Sequence, residues 1–83
     1  MKPVKLNGTH AIAAAIDHSL EEYFNVLDGE PASNLHDMVV SSVEKSLLAN
    51  VMVRTKGNQS QAAEMLGITR STLRTKLEKY KLR

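Results

Sequence analysis

Residues 59–80 read QSQAAEMLGITRSTLRTKLEKY, and they form the most informative segment of the chain. Two small neighbours, Ala62 and Ala63, allow a second helix to cross close to the first. Gly67 follows four residues after Ala63 and can adopt the left-handed backbone that a sharp turn requires. The pattern therefore predicts a short helix over 59–66, a tight turn over 67–69 and a second helix over 70–80. This is the order of elements in a helix-turn-helix.

The second of these helices has a clear inner and outer side. Its apolar residues, together with those around the turn, are predicted to form a wedge that holds the two helices at a steep angle: Leu66, Ile68, Leu73 and Leu77. The outward positions are Arg70, Ser71, Arg74, Thr75 and Glu78, with Lys76 and Lys79 on the flanks. In a helix-turn-helix the start of this helix meets base edges, and its sides meet phosphates. The forked Arg70 side chain can reach O6 and N7 of a guanine.

Two longer helices are predicted upstream, so the fold class is all-α with four helices per chain. The first runs from about Ala11 to Leu27 and stops at Asp28-Gly29. The second runs over 35–54, with Ser33 or Asn34 as its cap. Asn58 is predicted to cap the third helix, with Gln61 in the capping-box position, and Thr69 the fourth.

The helix over 35–54 is apolar on more than one side. One neighbouring helix cannot cover such a surface, and a chain of 83 residues is too short to bury it alone. We therefore expect a homodimer in which each chain gives two helices to a shared four-helix core. The predicted dimer-core residues are Leu35, Val39, Val43, Leu47 and Val51. The expected organisation is a flexible segment over 1–10, dimerisation helices over 11–54 and a helix-turn-helix region over 55–83.

The charge is divided unevenly along the chain. Residues 1–53 carry three Lys or Arg against seven Asp or Glu, a net charge of −4, and residues 54–83 carry eight against two, a net charge of +6. A basic end on an acidic body is typical of a polyanion binder, although a solvated basic helix face gives the same pattern. The sequence has no cysteine, which excludes disulfides and thiolate metal sites. No signal peptide or membrane span is indicated, so we expect a cytoplasmic protein.

Other side chains could suggest a metal or catalytic site. His18 and Glu22 lie one helical turn apart, but a zinc site needs three or four converging ligands. Asp17, Glu21 and Glu22 have no predicted pocket around them and are interpreted as a solvated face. The sequence contains no glycine-rich phosphate loop and no nucleophile motif. We expect no metal, no cofactor, no small-molecule substrate and no enzymatic activity.

The motif is also similar to that of a known family. The resemblance rests on short segments: Gly57-Asn58-Gln59, Ala62-Ala63, Gly67-Ile68, Arg70, Thr72-Leu73-Arg74 and Lys76-Leu77. These resemble the C-terminal end of the Fis (factor for inversion stimulation) family of bacterial nucleoid-associated proteins, and a looser similarity covers about 11–80. The resemblance implies an intertwined helical homodimer that binds and bends duplex DNA with loose sequence preference and regulates transcription. It places at the DNA Asn58, Ser60, Thr69, Arg70, Thr72, Arg74, Lys76 and Lys79. Of these, it implies that Arg70 and Arg74 approach bases and that the remainder mostly hold phosphates.

The chain departs from the family pattern in two places. Thr75 and Glu78 stand where the enteric members have lysine, which predicts fewer phosphate contacts. Only about ten residues precede the first predicted helix, too few for the mobile β-hairpin arm by which longer members contact DNA invertases. This argues against a DNA invertase partner.

Two alternatives remain open at this point. A very similar helix-turn-helix ends the NtrC-type activators, so the chain could be a detached module of one, although its start at Met1 favours a separate protein. It could also be a dimeric interaction protein that uses its basic end on an acidic partner rather than on DNA.

Overall fold

The computed structural model describes residues 8–82, which form four helices and no strand, as the all-α prediction requires. The helices are α1 (Thr9–Leu27), α2 (Leu35–Arg54), α3 (Gln59–Leu66) and α4 (Arg70–Lys79). α1 begins two residues before the predicted start, and most of the segment predicted to be flexible, residues 1–7, lies outside the described part of the chain. None of the helices within residues 8–82 combines the length and hydrophobicity needed to cross a bilayer.

The C-terminal end of α1 agrees with the sequence prediction, whereas the cap of α2 does not. α1 stops where predicted, because Asp28 and then Gly29 take left-handed backbones with φ of 49° and 87°. α2 begins at Leu35 as predicted, but the predicted side-chain cap is wrong. Asn34 occupies the N-cap with φ of 56°, and its side chain makes no capping hydrogen bond. A capping side chain normally stands on an extended backbone, whereas the backbone at Asn34 is left-handed.

The junction between α2 and α3 is tight. The buried Thr55 ends α2, and both its amide N–H and its hydroxyl donate to the Val51 carbonyl, at 2.9 and 3.1 Å. Lys56 and Gly57 then take left-handed backbones with φ of 53° and 82°. The Gly57 N–H donates to the carbonyl of Met52 at 3.0 Å. This bond gives a carbonyl in the last turn of α2 a hydrogen-bond donor, and the chain reverses toward α3.

The described residues form two compact units that divide between Ser33 and Asn34. The first unit contains α1, on which the rings of Tyr23 and Phe24 meet edge to face with their centroids 5.6 Å apart. The second contains α2, α3 and α4 around one buried cluster of apolar residues: Leu48, Ala62, Ala63, Leu73 and Leu77. α2 therefore belongs to the same compact unit as the helix-turn-helix, whereas the sequence placed a division after residue 54. The reason is Leu48, which α2 contributes to the cluster and which is only 2% exposed.

Candidate nucleic-acid interface

The turn between α3 and α4 has the predicted geometry. Gly67 has a left-handed backbone with φ of 73°, and its N–H donates to the Glu64 carbonyl at 3.2 Å. The N–H of Ile68 donates to the carbonyl of Ala63 at 3.1 Å. These two bonds close the end of α3, so that Thr69 can return to an extended backbone and start α4.

Both helices of the motif are capped by the residues that the sequence indicated. The Asn58 Oδ1 atom accepts a hydrogen bond from the Gln61 N–H at 3.0 Å. The Thr69 hydroxyl oxygen accepts one from the Thr72 N–H at 3.1 Å and donates to the Thr72 hydroxyl at 2.8 Å. Asn58 and Thr69, both predicted to contact DNA, thus already fix the starts of α3 and α4.

The burial predicted for the four wedge residues is confirmed. Leu73 and Leu77 of α4 are fully buried, and Leu66 and Ile68 are partly buried against the same cluster. Ala62 has no exposed surface, so a larger side chain there would have to displace its neighbours. This packing determines which side of α4 is left to solvent.

The solvent side of α4 carries two exposed arginines. Arg70 and Arg74 are four residues apart, so they lie on the same side of the helix about 6 Å apart along its axis. We call these two residues the arginine flank. Thr72 and Lys79 are exposed on the other flank, and Ser71 lies between. Seven of the eight residues predicted to contact DNA are exposed: Asn58, Ser60, Thr69, Arg70, Thr72, Arg74 and Lys79.

Lys76 is the exception among the eight. Its Nζ atom lies 2.9 Å from Oε2 of Glu44 on α2, and the Tyr80 hydroxyl donates to Oε1 of the same carboxylate at 2.6 Å. The Lys76 and Glu44 side chains are only 34% and 26% exposed. The sequence left Lys76 on an open flank of α4, whereas the structure ties it to α2, because Glu44 reaches the base of that flank.

The charges in this contact are matched. The hydrogen bond from Tyr80 and then that from Lys76 hold the pKa of Glu44 below its ordinary value of 4.5, against a smaller opposing effect of desolvation. The hydrogen bond to Glu44 in turn raises the pKa of Lys76. At neutral pH both groups are therefore charged, and the carboxylate has a hydrogen-bond donor on each oxygen.

The predicted dimer-core residues on α2 have different surroundings within one chain. Val43 and Leu47 are 43% and 51% exposed, and Leu35 and Val39 are partly buried. Val51 instead packs against the buried cluster of its own chain. The dimer contact itself stays a prediction for all five residues.

Comparison with known proteins identifies the family. A sequence model described as "Bacterial regulatory protein, Fis family" matches residues 39–80. The chain is also 50% identical over 66 residues to the DNA-binding protein Fis of Actinobacillus succinogenes, an alignment that covers 80% of this chain and 67% of that protein. The chain belongs to the Fis family. The matched region of this Fis-family chain contains most of α2 and all of α3 and α4, with Glu44, Lys76 and Tyr80 among its residues.

Glu44 was not singled out from the sequence of this Fis-family chain. A signal was present, because Glu44 lies four residues before Leu48 and therefore shares the side of α2 that packs on the motif. An acidic residue on a side that packs against a basic helix suggests a specific cationic partner. The sequence does not say which of the cations of α4 takes that place.

The polar side chains of α1 include one close pair. On α1, the Nε2 atom of His18 lies 3.3 Å from Oε1 of Glu22, and both side chains are largely exposed. Within residues 8–82 the structure contains no group of three or more His, Asp or Glu side chains that could hold a metal ion.

Proposed function

We propose that this Fis-family chain binds duplex DNA as a homodimer through its helix-turn-helix, bends the DNA, and acts in transcription regulation and nucleoid organisation. The observation that carries the proposal is the arginine flank of Arg70 and Arg74. Both side chains are exposed on a helix whose start is capped and whose inner side is buried. A rigid helix with exposed cations near its start suits the major groove.

Each of the seven exposed residues predicted to contact DNA has a defined role in this proposal. Arg70, in the first turn of α4, and Arg74, one turn later, reach base edges, where the guanidinium fork fits O6 and N7 of guanine. The other contacts are to phosphates, which position the protein without carrying sequence information. The residues assigned to phosphates are Asn58, Ser60, Thr69, Thr72 and Lys79.

The charge of the chain and its similarity to a DNA-binding relative both support DNA as the partner. Residues 54–83 have a net charge of +6, which attracts a polyanion. The relative from Actinobacillus succinogenes is named a DNA-binding protein. Binding to chromosomal DNA would place this chain in the bacterial cytoplasm, on the nucleoid.

The exposed apolar residues of α2 support the proposed homodimer. Val40, Val43 and Leu47 are each 43–51% exposed in the single chain. A two-fold axis through such a contact would present two copies of α4 to two successive major grooves of a roughly palindromic site. Sequence preference would then come partly from the arginines and partly from how easily the DNA between the half-sites bends.

The test of the proposal is a set of gel shifts at fixed salt with short duplexes that have AT-rich or GC-rich centres. We expect Arg70→Ala to weaken binding by about 1–3 kcal/mol without unfolding the chain. Arg70→Lys should recover only part of the loss, because lysine keeps the charge but lacks the fork. The matched control is Lys45→Ala, which removes an exposed cation of α2 outside the motif.

Two outcomes would contradict the proposal. If Arg70→Ala binds as tightly as wild type, or loses no more than Lys45→Ala, α4 does not contact bases through Arg70. If wild type ignores duplex DNA at low ionic strength, the proposed partner is wrong. If the true partner of the basic end is an acidic protein, the chain should bind duplexes with AT-rich and GC-rich centres with no preference for the more flexible one.

A further inference from the structure

Glu44 connects the surface of α4 to α2. Its Oε2 atom accepts a hydrogen bond from Lys76 Nζ at 2.9 Å, and its Oε1 atom accepts one from the Tyr80 hydroxyl at 2.6 Å. Lys76 lies in the last turn of α4 and Tyr80 is its C-cap residue, and Glu44 lies 32 and 36 residues before them. A single carboxylate thus connects the last turn of α4 and its C-cap to α2.

The same contact occupies Lys76, a cation that the family resemblance places at the DNA. Lys76 is 34% exposed, so its ammonium group remains within reach of a ligand at the surface. A phosphate oxygen and the Glu44 carboxylate would compete for the same N–H donors, since both are anionic acceptors. A lysine already neutralised by a carboxylate displaces fewer counterions from DNA than an unpaired lysine does.

We propose that Glu44 is a positioning residue that withholds Lys76 from the DNA phosphates while it fixes the end of α4 on α2. The inference rests on the proposed DNA binding. Phosphate contacts strengthen binding to every sequence alike, whereas base contacts discriminate. By keeping one cation per chain out of the phosphate set, Glu44 lowers the affinity for all sequences and leaves a larger share of the binding energy to the arginine flank.

The experiment is a double-mutant cycle whose readout is the salt dependence of DNA binding. Glu44→Gln is nearly isosteric, and its carbonyl oxygen can still accept the hydrogen bond from Tyr80, while the charge that holds Lys76 is removed. Lys76→Met removes the cation and keeps most of the side-chain stem. The dissociation constant of each variant and of Glu44→Gln/Lys76→Met is measured with one duplex between about 50 and about 200 mM salt. Far-UV circular dichroism checks that each variant is folded.

We expect Glu44→Gln to bind more tightly at low salt and to depend more steeply on salt. The log–log slope should steepen by about 0.9 per chain, an additional loss of about 3.5-fold per chain across this salt range. The same substitution made in the Lys76→Met background should leave the slope unchanged from that of Lys76→Met. The effect of Glu44 then passes through Lys76 and not through its own repulsion of DNA.

Lys79→Met gives a second, independent comparison. Lys79 is an exposed lysine of the same helix, assigned to phosphates. Because Lys76 is already paired, Lys76→Met should flatten the wild-type slope by less than Lys79→Met does. This comparison holds even if Glu44→Gln does not fold.

The results that overturn the inference are distinct from those that overturn DNA binding. An unchanged slope in Glu44→Gln, a steepening that persists without Lys76, or equal effects of Lys76→Met and Lys79→Met would each overturn it while wild type still binds duplex DNA. If wild type fails to bind at low salt, the proposed function fails, and this inference fails with it.

Discussion

Glu44 illustrates how one partly buried carboxylate can be stabilised in its charged form. Desolvation raises its pKa, but hydrogen bonds from Tyr80 and Lys76 lower it by more, so that the group titrates below 4.5 in the folded chain. A carboxyl whose pKa is lower when folded than when unfolded stabilises the fold at pH values above its unfolded pKa. That contribution is lost as the pH falls through the folded pKa.

This linkage predicts a pH-dependent effect of Glu44→Gln on stability. Near pH 7 the variant should have a lower free energy of unfolding than wild type. The difference should shrink as the pH falls below about 4.5. In this range the carboxyl of the unfolded wild type takes up a proton while that of the folded chain is still ionised. Urea unfolding of both proteins at pH 7 and pH 3 measures the difference, and Glu64→Gln on α3 corrects for the loss of an exposed carboxylate. A difference that is as large at pH 3 as at pH 7 would show that the charge of Glu44 does not matter.

The sequence could assign residues to the outer side of α4 but could not find their partners. Helical periodicity correctly separated Leu73 and Leu77 from Arg70 and Arg74, because that separation depends only on the 3.6-residue repeat. The pairing of Lys76 depends on where α2 lies, and a residue 32 positions away supplies it. Periodicity along α4 therefore cannot identify Glu44 as the partner of Lys76.

At the scale of the helices, the start of α4 depends on one side chain. The Thr69 hydroxyl accepts the Thr72 N–H and is also hydrogen-bonded to the Thr72 hydroxyl. The backbone at Thr69 is extended, with φ of −73° and ψ of 155°, as a side-chain cap requires. The cap therefore fixes the first turn of the helix, which carries Arg70.

Removal of this cap should destabilise the chain measurably. We expect Thr69→Ala to lower the free energy of unfolding by about 1 kcal/mol, and Thr69→Ser to keep most of it. Thr75→Ala is the matched control, since Thr75 is exposed on the same helix and its hydroxyl only donates to the Ser71 carbonyl. The control should stay within about 0.5 kcal/mol of wild type. Equal losses at the two threonines, measured by urea unfolding, would mean that the cap contributes nothing specific.

The ends of the helices were predictable where short-range signals act alone. Asn58, Gly67 and Thr69 each act on a neighbour within four residues, and all three have the predicted geometry. Asn34, one of the two residues predicted to cap α2, occupies the N-cap position, but its left-handed backbone differs from that of Asn58 and its side chain makes no capping hydrogen bond. Residue type limits where a helix begins, and the backbone conformation decides how its first turn is satisfied.

For the whole molecule, the four-residue spacing of the predicted dimer residues on α2 explains why Val51 has different surroundings from the other four. Residues spaced by four advance 400° along a helix, so each step moves about 40° around its axis. From Val39 to Val51 the row turns by about 120° and reaches the side that packs on the buried cluster. Val43 and Leu47, in the middle of the row, remain exposed. The sequence showed that α2 was too apolar to be covered by one neighbouring helix. It did not show where the side that packs on the buried cluster ends and the side proposed for the dimer contact begins.

The exposed part of this row predicts how the homodimer would be disrupted. Leu47→Glu places a charge in the proposed contact and should convert dimer to monomer, because an unpaired buried carboxylate costs several kcal/mol. Lys45→Glu introduces the same carboxylate about 160° around α2 and should remain dimeric. Light scattering on both variants gives the mass of the assembly. Unfolding of wild type offers a measurement without mutation: the thermal midpoint of a dimer rises with chain concentration, whereas that of a monomer does not. A wild-type mass equal to one chain, with a midpoint independent of concentration, would contradict the proposed homodimer.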